Sequence, residues 1–233
     1  MAKDTTGRLH VTVKTGGKRK LSSKLWLERQ LNDPYVAQAK RDGFRSRAAY
    51  KLQEMDDKHR LLKRGQVVVD LGAAPGGWSQ IAAKRVGSLE GKGKVVAIDL
   101  LDMPEVPGVT FAQMDFLDDN APDKLRAMIG GGADVVMSDM AANTTGHRKT
   151  DQLRIIGLVE SAAAFACEIL NPGGTFLAKV FQGGADADLL VQLKRDFASV
   201  KHVKPAASRQ DSSERYVLAT GFRGENGLSK QVR

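Results

Sequence analysis

Among 233 residues there is a single cysteine, Cys167, so no internal disulfide can form. It lies inside Ala162–Leu170, an apolar run of helical character, and reads as a packing residue. No apolar stretch approaches the roughly 18 residues that a membrane span needs, and the N-terminus lacks the apolar core of a secretory signal. These features predict a reduced, cytoplasmic protein with no membrane partner. The four histidines, His10, His59, His147 and His202, form no metal-ligand spacing with one another or with Cys167, so no metal is expected. The G-x-x-x-x-G-K-[ST] loop that cradles nucleotide phosphates is also missing. No internal repeat is present.

Charge, by contrast, is abundant and unevenly placed. Residues 1–51 hold 13 Lys/Arg against 4 Asp/Glu, a net +9, while residues 52–233 hold 23 of each and balance. The whole excess therefore sits on the first fifth of the chain. A basic arm of this kind gains affinity for a polyanion by displacing counterions from its phosphates, which points to a nucleic acid. Residues 1–23 read as a flexible basic arm, 24–223 as one domain, and 224–233 as a tail.

Within the domain, Ser22–Leu31, Pro34–Lys40 and Arg45–Lys58 read as helices, the last with Ala48, Leu52 and Met55 at helical spacing. The rhythm then changes. Val67–Leu71, Lys94–Asp99, Val109–Gln113, Asp134–Ser138, Thr175–Val180, Val200–Lys204 and Tyr216–Gly221 are short β-rich runs. Helical segments Trp78–Val86, Pro122–Ile129, Asp151–Leu170 and Asp186–Ala198 separate them. This alternation predicts an α/β fold with a doubly wound, mostly parallel, seven-stranded sheet.

The first strand runs into Asp70-Leu71-Gly72-Ala73-Ala74-Pro75-Gly76-Gly77-Trp78. Glycines at a strand-to-helix turn let the backbone approach a ligand with no Cβ in the way. In doubly wound folds the ligand crevice lies beyond the carboxyl ends of the strands. Asp99 ends the second strand, where a carboxylate can accept hydrogen bonds from both hydroxyls of a ribose. Asp115 follows the third, within reach of an adenine amine. Ala74 stands where the dinucleotide pattern G-x-G-x-x-G has its second glycine. The pocket therefore suits an adenosyl ligand without a pyrophosphate better than NAD.

The segment Val69–Gln80 closely resembles the S-adenosylmethionine (SAM) motif of the FtsJ/RrmJ family of RNA 2′-O-methyltransferases. So do Asp99-Leu100-Leu101, Asp115-Phe116, Met137-Ser138-Asp139-Met140 and Lys179-Val180-Phe181-Gln182-Gly183. The resemblance covers roughly residues 45–222. It implies a Rossmann-like fold with an antiparallel last strand, and SAM contacts at Gly72, Gly76, Trp78, Asp99, Asp115 and Asp139. It implies a Lys-Asp-Lys-Glu catalytic set on Lys51, Asp139, Lys179 and Glu214. It also implies methylation of a uridine ribose in 23S ribosomal RNA within the large ribosomal subunit, with transfer RNA or another ribosomal nucleotide as the alternative. No obligate protein partner is implied. One departure is visible: the family reads Asp-Met-Ala-Pro-Asn where this chain has Ala142 in place of the proline.

The chemistry of that set can be stated on its own terms. Methyl transfer from a sulfonium is an in-line displacement, and positioning the acceptor oxygen supplies much of its acceleration. A ribose hydroxyl is a poor nucleophile, helped by losing its proton or by a cation beside the developing negative charge. Lys179 follows a buried strand and is the central candidate, either as neutral base or as charged orienter. Lys40, Arg41, Arg45 and Arg47, interleaved with Trp26, Tyr35, Phe44 and Tyr50, could line an RNA groove, with at least two of the aromatics packing inward instead. Two other classes stay in view: an NAD-dependent oxidoreductase and a non-catalytic RNA-binding protein on the same scaffold.

Overall fold

The structure, a computed structural model, describes residues 11–13, 21–142, 148–181 and 187–224. Most of the expected arm (1–10 and 14–20), the tail from 225, Gln182 and Gly183, His10 and His147, and the Trp26 side chain lie outside the described residues.

Three helices come first: α1 (Leu21–Leu31), α2 (Pro34–Arg41) and α3 (Ala48–His59). Asp33 caps α2, accepting from the Tyr35 N–H at 3.0 Å ahead of the helix-starting Pro34. The α/β region then runs β1 (Val67–Leu71), α4 (Gly77–Val86), β2 (Lys94–Asp99), β3 (Val109–Gln113), α5 (Ala121–Ile129), β4 (Ala133–Ser138), α6 (Arg148–Ile169), β5 (Leu170–Phe181), α7 (Ala187–Asp196), β6 (Phe197–Val203) and β7 (Glu214–Phe222).

These strands form one seven-stranded sheet in the order β3-β2-β1-β4-β5-β7-β6. Strands β1 to β5 are parallel neighbours, and β7 inserts between β5 and β6, antiparallel to both. The fold class expected from the sequence, including the antiparallel last strand, is the one observed. Strand order reverses at β1, whose neighbours are β2 and β4, and this switch point is where doubly wound sheets bind ligands.

Alternation along the strands divides the core in two. Val69, Leu71, Phe176, Ala178 and Val180 pack with α5, α6 and α7. Val68, Leu177 and Leu218 pack on the opposite face with Leu52 and Met55 of α3 and Trp78 and Ile81 of α4. Covering both faces explains why the central strands read as continuous apolar runs. Among the described residues no helix is long and apolar enough to cross a membrane.

Some boundaries differ from the sequence reading. Helix α6 stops at Ile169, and β5 starts at Leu170 instead of Thr175, because Leu170 pairs with Ala133 across an irregular register. β6 starts at Phe197, inside the expected helix, because Phe197 pairs with Phe222 of β7. Helix α3 begins at Ala48, not Arg45. The Arg45 N–H is engaged by Gln80 Oε1 at 2.8 Å, and its guanidinium donates to the carbonyls of Pro104 and Glu105.

Candidate active site

A cavity of about 300 Å³ opens at the carboxyl ends of the strands. Each of the first four strands contributes to its wall: Gly72 and Ala74 after β1, Asp99 to Leu101 from β2, Met114 to Phe116 after β3, and Asp139 to Ala141 after β4. Gly72 has a φ of +78°, and a Cβ there would fall 2.9 Å from the Met140 backbone. The glycine thus lets the β1 and β4 loops close against each other. Gly76 has a φ of +104°, and a Cβ there would fall 2.9 Å from the Met103 and Val106 side chains, so the glycine lets the start of α4 fit under the loop after β2.

Both Asp99 oxygens are oriented by backbone N–H groups, Oδ2 by Ala74 at 2.9 Å and Oδ1 by Leu101 at 2.8 Å. The Leu117 N–H holds Asp115 Oδ1 at 2.9 Å. Each oxygen has a second lone pair left for a ligand donor. Leu100 and Leu101 are exposed on the rim and give the cavity apolar walls.

Trp78 does not line this cavity. Its side chain is buried, its indole N–H donates to the Ala48 carbonyl at 2.9 Å, and its ring lies 5.5 Å from that of Tyr216. Any ligand contact from this residue must come from its backbone N–H in the first turn of α4, where N–H groups lack intrahelical acceptors. Gly76, in the turn before α4, is likewise outside the residues lining the cavity.

Directly behind Asp99 and Asp139 sits Asp70, fully buried on β1. Ser79 Oγ donates to its Oδ2 at 2.6 Å, while Oδ1 has no partner. Burial pushes this carboxyl up to about 7, with the charges of Asp139 and Asp99 adding to the rise and the Ser79 hydrogen bond opposing it.

At the edge of the cavity, two lysine–carboxylate pairs converge. Lys179 Nζ lies 3.1 Å from Asp139 Oδ1 and also donates to the Asp139 carbonyl. Lys51 Nζ lies 2.6 Å from Glu214 Oε1. Alternation along β5 turns Lys179 to the same side as Leu177, facing α3, and Lys51 reaches it from α3. The Lys-Asp-Lys-Glu set expected from the sequence is therefore assembled as one cluster, although its members span 163 positions of the chain.

The hub of that cluster is a residue the sequence reading passed over. Tyr216 sits across from Lys179 in the β5–β7 register. Its hydroxyl lies 3.0 Å from Asp139 Oδ1 and 3.3 Å from Glu214 Oε1, and accepts from Lys51 at 3.2 Å. One phenol has one proton, so the two carboxylates compete for it. Burial, then Asp139 and Glu214, hold the phenol well above its ordinary pKa, so it stays a donor. Its two-residue spacing from Glu214 on a strand was the available signal, since such residues share a face. Ser208 also escaped the sequence reading; its Oγ donates to Glu214 Oε1 at 2.9 Å.

The expected RNA-groove residues divide. Arg45 is engaged with backbone carbonyls, and Arg47 donates to Asp33 and to the Ala207 carbonyl. Lys40 and Arg41 are exposed at the end of α2. Phe44 and Tyr50 pack edge to face at 5.2 Å, and the Tyr50 hydroxyl donates to Asp42 at 2.6 Å. Burial, reinforced by that carboxylate, raises Tyr50 to about 12.

Residues 44–222 match the FtsJ-like methyltransferase family. The chain is 85% identical over 224 residues to a protein of Afipia carboxidovorans named ribosomal RNA large subunit methyltransferase E, covering 96% of this chain and 100% of that protein. It is 84% identical to the protein of that name from Bradyrhizobium diazoefficiens, over 96% of this chain and 98% of the relative. Among solved structures, a ribosomal RNA methyltransferase from Plasmodium falciparum is 31% identical, with a TM-score of 0.69, over 78% of this chain and 100% of that one.

Proposed function

This chain belongs to the FtsJ-like methyltransferase family, and from that premise we propose that it methylates the ribose 2′-hydroxyl of a uridine in 23S ribosomal RNA, using SAM and acting on the large ribosomal subunit. Such a substrate puts the work in the cytoplasm. The observation that carries the reading is the double position of Asp139, which lines the cavity and also grips Lys179. The methyl donor and the acceptor oxygen must meet within van der Waals distance, and Asp139 is where the two halves of the site touch.

The residues present fit SAM. Asp99 is poised for the ribose hydroxyls, Asp115 for the adenine amine, and Leu100, Leu101 and Phe116 for the apolar base. Ala74 interrupts the glycine pattern that lets a backbone cradle a pyrophosphate, which disfavours NAD. When bound, SAM supplies an electrophilic methyl on a sulfonium. The protein's own part is to aim the acceptor oxygen at that methyl and to manage the hydroxyl proton. Lys179, fixed by the Asp139 side chain and carbonyl, sits beside the acceptor. As an ammonium it stabilises the negative charge that builds on oxygen; as a neutral amine it takes the proton. Lys51, Glu214 and Tyr216 keep Lys179 and Asp139 in place and supply balancing charge nearby. The basic segment at the start of the chain contributes affinity for the RNA backbone.

The test is methylation of large subunits lacking the modification with labelled SAM, followed by nucleoside analysis. Labelled 2′-O-methyluridine is the expected product, and Asp99→Ala raises the SAM concentration needed for half-saturation by at least about tenfold, the scale of one lost charge-assisted hydrogen bond. A label recovered on a base instead of a ribose overturns the assignment.

A further inference from the structure

A second cavity, of about 570 Å³, lies on the other side of Glu214 from the SAM cavity, between α1, the start of α2 and the β6–β7 connection. Its wall includes Leu25, Arg29, Asp33, Tyr35, Arg47 and Arg209. At its floor a single oxygen, Asp33 Oδ2, takes both guanidinium groups: Arg209 donates from Nε at 3.1 Å and Nη2 at 2.9 Å, and Arg47 donates from Nη1. Asp33 is buried with 5% of its side chain exposed, Arg47 with 14%. Two guanidinium groups, which keep their charge in proteins, are thus drawn together around one carboxylate. Arg47 Nε, also buried, has no acceptor. Arg29 and Glu28 also line the wall, and the charges of Glu214 and Glu54 act on Arg47 and Tyr35 from beyond it.

A buried guanidinium N–H with no acceptor is costly unless a ligand oxygen completes it. The place in the fold says what that is. Ser208 lines this cavity and donates to Glu214 Oε1 at 2.9 Å, and Glu214 in turn holds Lys51 at 2.6 Å. The cavity therefore adjoins the cluster beside which the acceptor ribose must lie. Residues 11–13 pass its rim: Asn32 binds the Val11 backbone through its Oδ1 at 2.8 Å and its Nδ2 at 2.9 Å, and Glu28 accepts from the Val13 N–H at 3.0 Å.

We propose that this cavity takes the nucleotide adjoining the methylated one, with its phosphate on Arg47 and Arg209 and its base against Tyr35 and Leu25. The inference rests on the RNA-substrate reading above and adds to it a second subsite. A phosphodiester is the anion that two guanidinium groups held side by side are shaped to bind. A cavity walled by an aromatic ring suits an unpaired base, the form in which RNA is read one nucleotide at a time. Holding the neighbour fixes the target ribose, so the subsite acts on RNA affinity and not on the transfer step.

The test uses large subunits carrying 4-thiouridine in their RNA and lacking the modification. Irradiation of the full-length protein on these particles is expected to give adducts on peptides containing Tyr35 or Arg209. Arg209→Gln, which leaves Arg47 paired with Asp33, is expected to raise the subunit concentration for half-maximal single-turnover methylation about tenfold, on the scale of one charge-assisted contact, with the plateau rate and SAM affinity unchanged. Its log-log salt slope is expected to fall by about 0.7, the value for one single-stranded phosphate contact. Arg29→Gln, on an exposed position of α1, gives a smaller effect in the same direction and serves if Arg209→Gln is unstable. Arg126→Gln, a charge-matched change on α5, is expected to leave all of these values alone. Wild-type transfer with unchanged half-saturation and slope in both cavity variants overturns the subsite while leaving the substrate reading intact. So do adducts confined to peptides elsewhere. Absence of transfer by the wild type strikes the substrate reading, and the adduct map still decides the cavity.

Discussion

On the side of the sheet covered by α5, α6 and α7, β1 and β5 present Val69, Leu71, Phe176, Ala178 and Val180, all buried and none with a polar side-chain atom. On the other side the same two strands present Val68, Asp70, Leu177 and Lys179, all buried as well. Strand β7 repeats the pattern, with Val217 and Ala219 on the first side and Tyr216 and Leu218 on the second. Both sides have the same pleat, the same register and a helical cover. They differ in where free energy is spent. The first side is apolar packing throughout these strands. The second gives up part of its packing to hold a carboxylate, an ammonium and a phenol in fixed positions at the strand ends, which is the preorganisation that chemistry requires. An α/β sheet can do this because one face suffices to keep the strands together.

The comparison is most strongly tested by making the second side resemble the first. Lys179→Met gives β5 an apolar residue of similar length. Methyl transfer under single-turnover conditions is expected to fall by about 10³ or more, the scale for losing a positioned charge or base. Stability in urea is expected to stay within about 1 kcal/mol of wild type, because Asp139 keeps the Tyr216 hydroxyl and solvent as partners. Wild-type rates in this variant would sink the mechanism, and an unfolded variant would show that the polar side also holds the sheet.

The converse change is Phe176→Ala. Phe176 is fully buried among α6 and α7 residues, so the expected cost is about 3–5 kcal/mol of stability. Activity per folded molecule at low temperature should change little. A loss of transfer rate in fully folded Phe176→Ala would mean that the two sides are not separable.

A finer test concerns Asp70. Its folded pKa is raised from 3.8 to about 7. Between those values the folded protein holds a proton that the unfolded chain has released, so stability falls as pH rises from about 4 to 7 and levels off above. The corresponding cost at pH 8 is at most roughly 4 kcal/mol. Asp70→Asn removes the titrating group, so its stability is expected to be flatter over that window and its advantage over wild type greatest above pH 7. Urea titrations at pH 5 and pH 8 read the difference. An equal change at both pH values would place Asp70's charge in solvent, against its burial.

Much of the cavity at the carboxyl ends of the strands was legible in the sequence. Gly72, Asp99, Asp115 and Asp139 all lie within one or two residues of a strand end, and strand ends in an alternating α/β pattern have a fixed destination. The clustering of Lys51, Lys179 and Glu214 with Asp139 was legible through family resemblance. Nothing local marks Tyr216 as their common partner, because that depends on the pairing of β5 with β7. Trp78 shows what a motif leaves undecided: it stands next to the glycine turn, yet its side chain belongs to the core under α3, which leaves only its backbone N–H to face a ligand.

Composition, alternation and the glycine turn were thus enough to set the α/β class, the seven strands and the edge of the sheet at which the cavity opens, since each follows from local backbone preference and the period of apolar residues. The exact meeting of groups distant along the chain was decided only by tertiary structure. Arg47 and Arg209 share Asp33 from 14 and 176 positions away, and Tyr216 joins Asp139 across 77. Such contacts follow from strand register and helix docking, which are set by the packing of the whole core and leave no periodic trace in any one segment.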